Sequence, residues 1–416
     1  APLGPLAAVT NHPFTAFTAL PSQIGQRQSM FQLNVLLLTL LTVAFAAGMP
    51  SKASKASNSF SWRHRRFFGL RGGSTKTAAG GHLLDGELTT MVEARTLDDG
   101  TVFPVTLSQT LQQTVGGDAA ASGCSGKNAA DWVKLNRDHL VNDLLPKHGA
   151  IVLRGFDVPD PDAFSEVVRS LDLEEQPYIG GNAVRTVVAD RVFTSNESPP
   201  SERIPFHHEM AQVPRFPTRV MFYCQIPSKE GGETPIVRSD EVCDILRKEF
   251  PELYERFKKE GVRYVRVAPM EDDPSSALGR GWKSTFGTED RETAEVEMKK
   301  DEFEWEWRDN NELLTKSKKL SAVRTVDGKE VFFNQVIAAY SGWNDSRNVA
   351  SRAVVFGETG DHLPEEQMKE FIERINSVAV SFEWKQGDVL IIDNRQVMHS
   401  RAPFVKPRRV LASLAR

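Results

Sequence analysis

Phe206-His207-His208-Glu209-Met210, followed about one hairpin later by Gly231-Gly232-Glu233-Thr234, is the stretch on which the reading of this chain turns. Side chains alternate with period two in extended backbone, so His207 and Glu209 leave the same face. An imidazole and a carboxylate on one face can hold one side of a metal ion, and a third ligand must then arrive from elsewhere. Two histidines and one carboxylate with open coordination positions suit non-haem Fe(II) and its oxygen chemistry. A His-x-Glu pair by itself is also an ordinary surface pair, so the remainder of the chain has to supply the missing parts.

The chain has nine histidines. His12, His64 and His82 lie in the leader, and His139 and His148 lie in or beside the first helical stretch, which leaves His208, His362 and His399. His399 sits in Asp393-Asn394-Arg395-Gln396-Val397-Met398-His399-Ser400-Arg401, one turn beyond the apolar run Val389–Ile392. Arg408-Arg409 follows ten residues later and opens the last strand. A distal His with an Arg at this distance is what an oxo-acid cosubstrate needs: the imidazole binds metal while a guanidinium forks the far carboxylate. Only one of Arg408 and Arg409 can face inward on a strand.

Around these residues the pattern is that of a β-rich fold with flanking helices. Leu135, His139, Leu140 and Leu144 have helical spacing and end at Pro146; Ala150–Leu153 is a buried strand; Phe164, Val167, Val168 and Leu171 form a second helical stripe. Val220–Tyr223, Thr234–Val237, Val331–Asn334, Val378–Phe382, Val389–Ile392 and Val410–Leu414 read as strands. Val242, Ile245, Leu246 and Phe250 predict a helix closed by Pro251, and Met368, Phe371, Ile372 and Ile375 another that starts at Pro364. Many short strands without βαβ alternation favour a sandwich or jelly roll over a doubly wound sheet. Residues 268–327 are strongly charged and predict an insertion or lid, in which Glu302–Trp307 alternates acidic and aromatic residues like an exposed strand with one apolar face.

With 416 residues, 40% hydrophobic and 25% charged, the composition is that of a soluble globular protein. Three cysteines (Cys124, Cys224 and Cys243) at unrelated spacings form neither a disulfide framework nor a zinc signature. The net charge of −4 is unevenly spread: residues 1–84 hold eight Lys or Arg and no acid, leaving 43 basic against 55 acidic groups, a net −12, on the rest. An acidic body argues against nucleic acid as a partner. Residues 1–29 read as upstream sequence. From Met30, the short apolar run Val35–Ala47 with Ala44-Phe45-Ala46 reads as a signal peptide, too short to span a membrane. The acid-free Ser-, Lys-, Arg- and Gly-rich stretch Ser51–Gly81 reads as a transit segment, so the expected destination is a plastid or the secretory pathway. The alternative is a basic tail on a cytoplasmic protein. The expected organisation is a leader at 1–84, an extension at 85–129 and one folded domain at 130–416.

His207-x-Glu209, the distal His399 and Pro407-Arg408-Arg409-Val410-Leu411 resemble the Fe(II)/2-oxoglutarate dioxygenases of the TauD/TfdA family, and within it the clavaminate synthase-like proteins of plants. Phe206–Gln212, Gly279–Ser284, Ala338–Trp343 and Pro407–Leu414 carry the likeness, in order, across residues 130–416. The resemblance implies a double-stranded β-helix (jelly-roll) core. It implies His207, Glu209 and His399 as iron ligands, and Arg409 with Thr234 as partners of the distal carboxylate of 2-oxoglutarate. It also implies an enzyme that hydroxylates or desaturates a small molecule with O2, releasing succinate and CO2. Taurine dioxygenase has a second Arg four residues after its cosubstrate Arg, where Ser413 stands here, so taurine is not the expected substrate. The competing readings are an iron-binding jelly roll that senses or binds without turnover, and a zinc hydrolase built on the same three ligands.

Overall fold

The computed structural model describes residues 87–89, 91, 93–108, 128–276 and 278–416. The leader and Cys124 lie outside them. An eight-stranded sheet and a three-stranded sheet set the architecture. The large sheet runs in the order Glu87–Thr89, Val105–Ser108, Ala150–Arg154, Val389–Asp393, Arg219–Ile226, Arg409–Ala415, Val192–Thr194 and Val187–Ala189. Its pairs are antiparallel except for Val105–Ser108 with Ala150–Arg154. The small sheet places Val397–Arg401 between Ile236–Arg238 and Ile204–His207, antiparallel to both.

Alternation along the central strands builds two cores. Val220, Phe222, Leu390, Ile392, Val410, Ala412 and Leu414 point to one face and pack with Ile236 and Val397 of the small sheet. Met221, Tyr223, Val389, Ile391, Leu411 and Ala415 point to the other and pack against the helices Ala129–Asp138 and Pro161–Ser170. Strands covered on both faces read as unbroken apolar runs. Each fully buried Leu, Ile, Val or Phe contributes about 1.5–3 kcal/mol relative to exposure. The space between the two sheets is the jelly-roll interior, and the functional residues line it.

The helices follow local chemistry. Asp160 accepts from the backbone N–H of Ala163 and caps Pro161–Ser170, with Pro161 in the first turn. Pro251 does close Ser239–Glu249, and it also opens a further helix, Pro251–Glu260, that the spacing did not predict. Pro146 fails to end the first helix. Ala129–Asp138 continues through a π-helical turn, His139–Leu144, into Leu145–His148, and stops at Gly149 with φ 73°. The helical phase therefore slips, and Leu135, expected on the apolar stripe, is 56% exposed. Val378–Phe382 is another departure: the helix Glu365–Val378 runs into it, and only Val380 bridges to Ile236.

The charged 268–327 segment folds as two short helices, Trp282–Phe286 and Arg291–Lys300, and a hairpin, Glu304–Trp307 with Leu313–Lys316. The hairpin extends a sheet through Val262–Ala268 to Val354–Phe356. Phe303, Trp305 and Trp307 pack on Ala268, Trp282, Ala294, Met298 and Leu313, so the alternation does give one apolar face. No helix among the described residues is long and apolar enough to cross a membrane.

Candidate metal centre

His207 ends the strand Ile204–His207, and in the register of the small sheet it lies opposite His399. Cross-strand partners share a face, and the two imidazole centroids are 4.2 Å apart. Glu209 follows in a turn whose next residue, Met210, has φ 56°. Asn394, in the turn leading into the His399 strand, fixes this turn. Its Oδ1 accepts from the Glu209 N–H at 2.8 Å, and its Nδ2 donates to the carbonyls of Glu209 at 3.0 Å and Pro217 at 2.8 Å. Asn394 has no exposed surface. The loop bearing the carboxylate is thus tied to the connection that delivers the second histidine.

One donor atom each from His207, Glu209 and His399 lies within 4.8 Å of the other two. His207 Nδ1 bonds the Pro205 carbonyl at 2.9 Å, which places the proton on Nδ1 and leaves Nε2 free to ligate. His399 Nε2 stands 3.8 Å from Glu209 Oε2, while its Nδ1 is buried with no hydrogen-bond partner. Burial pushes both imidazoles below their ordinary pKa, that of His399 well below. They are neutral at pH 7, the form that binds metal. Two neutral imidazoles and a carboxylate, converging in a cavity, fit a divalent transition metal with open positions.

His208, between the two ligand positions, points away. Its ring bonds the Asn334 carbonyl at 3.1 Å and Ser239 Oγ at 2.7 Å, and burial lowers its pKa to about 3. It is part of the scaffold.

Thr234 lines the same cavity, buried, with Oγ1 accepting from Trp384 Nε1 at 3.1 Å. That leaves the hydroxyl hydrogen free to donate to a ligand. Arg409, the expected partner of Thr234, is elsewhere: it is exposed and does not line the cavity. Arg408 takes the inward place. The face carrying Val410, Ala412 and Leu414 is the interior one, and alternation assigns residue 408 to it and residue 409 to the other. Arg408 Nε donates to the Gly232 carbonyl at 2.7 Å, and burial lowers its pKa to about 10, so it stays charged at neutral pH. Gly232 has φ 79°, and a Cβ there would come within 2.8 Å of Arg408. The Gly-Gly-Glu-Thr motif thus brings Thr234 in and leaves room for the guanidinium.

The sequence did not single out Arg185. Its Nη2 donates to Glu209 Oε2 at 2.8 Å, and its guanidinium stacks over Tyr178 at 4.2 Å and Phe193 at 4.9 Å. Burial works to lower its pKa, but the adjacent carboxylate prevails and the net shift is upward. The pair fixes the carboxylate's orientation. Arg401, two residues after His399, donates to the carbonyls of Ser198, Pro199 and Glu202 and so braces the loop at the cavity rim.

The model of the family described as "Taurine catabolism dioxygenase TauD, TfdA family" matches residues 109–414. The chain belongs to this family. Members use Fe(II) and 2-oxoglutarate, and this chain is an Fe(II)/2-oxoglutarate-dependent dioxygenase. A clavaminate synthase-like protein of Arabidopsis thaliana is 45% identical over 280 residues, covering 67% of this chain and 84% of its own. The dapdiamide synthesis protein DdaC of Enterobacter agglomerans is 29% identical over 293 residues, covering 66% and 84%. A taurine dioxygenase structure from Burkholderia xenovorans aligns with TM-score 0.42 and 12% identity, over 80% of this chain and 89% of its own.

Proposed function

We propose that the chain hydroxylates or desaturates a small molecule with O2, releasing succinate and CO2. His207, Glu209 and His399 would hold Fe(II); Arg408 and Thr234 would hold the far carboxylate of 2-oxoglutarate. The observation that carries this is one cavity lined by all five side chains. When bound, iron and the oxo acid supply activation of O2 coupled to oxidative decarboxylation. The chain's own residues bind, orient and exclude water. Arg408 offers two Nη groups to a carboxylate while Nε remains fixed on Gly232, and Thr234 adds a hydroxyl donor. Phe222, Ile204, Trp343 and Val410 give the cavity apolar walls.

Taurine does not fit this arrangement. With Arg408 inward, the position four residues on is Ala412, which lies in the apolar interior cluster. Neither Ala412 nor Ser413 can grip a sulfonate. For the leader, a plastid or secretory destination remains our proposal from its composition, tested by fusing residues 30–84 to a fluorescent reporter; diffuse cytosolic signal ends it.

The enzymatic proposal is tested by mixing Fe(II) and 2-oxoglutarate with the protein without oxygen. A visible charge-transfer band that needs both components supports a shared centre, and its absence removes the proposal. Succinate release on admitting O2 separates an enzyme from an iron-binding sensor.

A further inference from the structure

Beside the metal cavity lies an inner one that the proposed roles leave unused. Tyr264, Trp282, Phe286, Phe303 and Leu313 give it apolar walls. Asn182, Gln212 and Trp343 line both cavities and form the neck between them. A ligand in the inner cavity can therefore extend to the metal centre.

Three polar atoms of residues lining this inner cavity are buried without a hydrogen-bond partner: Arg266 Nε, Thr285 Oγ1 and Gln212 Oε1. Arg266 is 6% exposed. Its hydrogen bonds all go to neutral oxygens: Nη1 to Asn182 Oδ1 at 3.1 Å, and Nη2 to the carbonyls of Leu278 at 2.8 Å and Arg280. Among the described residues no carboxylate forms an ion pair with it. Arg280, on the same wall, likewise donates to the carbonyls of Tyr178, Gly181 and Ser284. Arg185 has a carboxylate partner, but that carboxylate is Glu209. A buried guanidinium is ordinarily balanced by an anion, and this wall has more cations than anions.

A purely structural role for Arg266 accounts for Nη2, which ties down the 278–280 turn. It does not account for the free Nε, for Thr285 Oγ1, or for the missing negative charge. A carboxylate satisfies all three by accepting from Nε–H and from the Thr285 hydroxyl. Gln212 Oε1, at the neck, offers an acceptor to a donor on the ligand or to water.

We infer that the substrate is an organic acid with an apolar chain or ring, its acid group seated against Arg266 and Thr285 and its oxidisable carbon reaching through the neck to the metal centre. This deepens the oxygenase proposal and rests on it. Charge at the inner end fixes which carbon meets the oxidant, because the distance from acid to metal is set by the protein.

The test is calorimetric titration of the metal-free full chain with octanoate and 3-phenylpropionate, each against its primary amide. The acids are expected to bind about tenfold or more tightly than the amides, as a charge-assisted hydrogen bond would give. Arg266→Gln should erase that preference, Arg266→Lys should keep part of it, and Arg408→Met should retain it. Failure of both acids to bind, or equal affinity for acid and amide, overturns the inference. So does a preference that survives in folded Arg266→Gln, or one that vanishes in Arg408→Met, which would place the acid at the cosubstrate end. If circular dichroism shows Arg266→Gln unfolded, the acid–amide comparison in the unmutated chain and in Arg408→Met decides. The Fe(II)/2-oxoglutarate band of the unmutated protein is recorded separately, so loss of the oxygenase proposal is seen independently of the acid preference.

Discussion

His207 and His399 lie opposite each other on adjacent antiparallel strands, their rings 4.2 Å apart. This pairing brings together two ligand candidates 192 positions apart in the chain. It also makes the metal donors a property of sheet register, because a one-residue slip would turn either ring to the opposite face.

Removing one donor should abolish metal-linked stabilisation. Mn(II) at about one hundred times its dissociation constant is expected to stabilise the unmutated protein by about 2.7 kcal/mol, read as a rise in Tm. His399→Ala should show no such rise while remaining folded. Equal stabilisation of both proteins would remove His399 from the centre.

Arg408 and Arg409 should behave very differently despite being neighbours. Arg408→Met removes a buried, hydrogen-bonded cation and is expected to weaken 2-oxoglutarate binding by about 2–5 kcal/mol, some thirtyfold or more. Arg409→Met changes an exposed residue and should alter it by less than about threefold. Calorimetry with 2-oxoglutarate and Mn(II) measures both; the reverse ranking would restore Arg409 to the site.

Asn394→Ala should act on the metal without touching it. Loss of its bonds to Glu209 and Pro217 is expected to lower metal affinity about 10–100-fold, as outer partners of metal ligands do. Unchanged affinity in a folded variant would show that the turn holds its shape without the clamp.

Burial lowers the His148 pKa from its ordinary 6.5, against the smaller raising effect of the hydrogen bond to the Val102 carbonyl. The unfolded chain therefore takes up this proton first as pH falls. The associated stability is complete above about pH 6.5 and declines below it. Urea midpoints at pH 7.5 and 5.5 should fall further for the unmutated protein than for His148→Gln. Equal falls would mean that the imidazole does not titrate differently on folding.

Cys224 and Cys243 are buried thiols whose pKa burial raises to about 12. Neither should react with iodoacetamide at pH 8 in the native state, and both should react in denaturant. Peptide mapping of the alkylated protein resolves each site, and native labelling at either would contradict its burial.

The sequence made the ligands legible because each sits beside a local signal: period-two spacing for His207 and Glu209, and a strand followed by a turn for His399. It did not reveal which arginine turns inward. Val410–Ala415 is buried on both faces, so neither parity carries a polar mark and Arg408 and Arg409 look equivalent. Arg185 and Asn394 were invisible for another reason. Their partner is Glu209, 24 and 185 residues away, and only the fold makes them neighbours. The π-helical turn at His139–Leu144 shifted the helical phase in a way that regular periodicity cannot anticipate.

The central claim is that one centre, formed by His207, Glu209 and His399 beside Arg408, binds iron and 2-oxoglutarate together. Anaerobic absorption spectroscopy of residues 85–416 tests it most directly. The account predicts a visible charge-transfer band when Fe(II) and 2-oxoglutarate are both present, absent with either alone and lost in Glu209→Ala. A band of undiminished strength in that variant, or none in the unmutated protein, would contradict it.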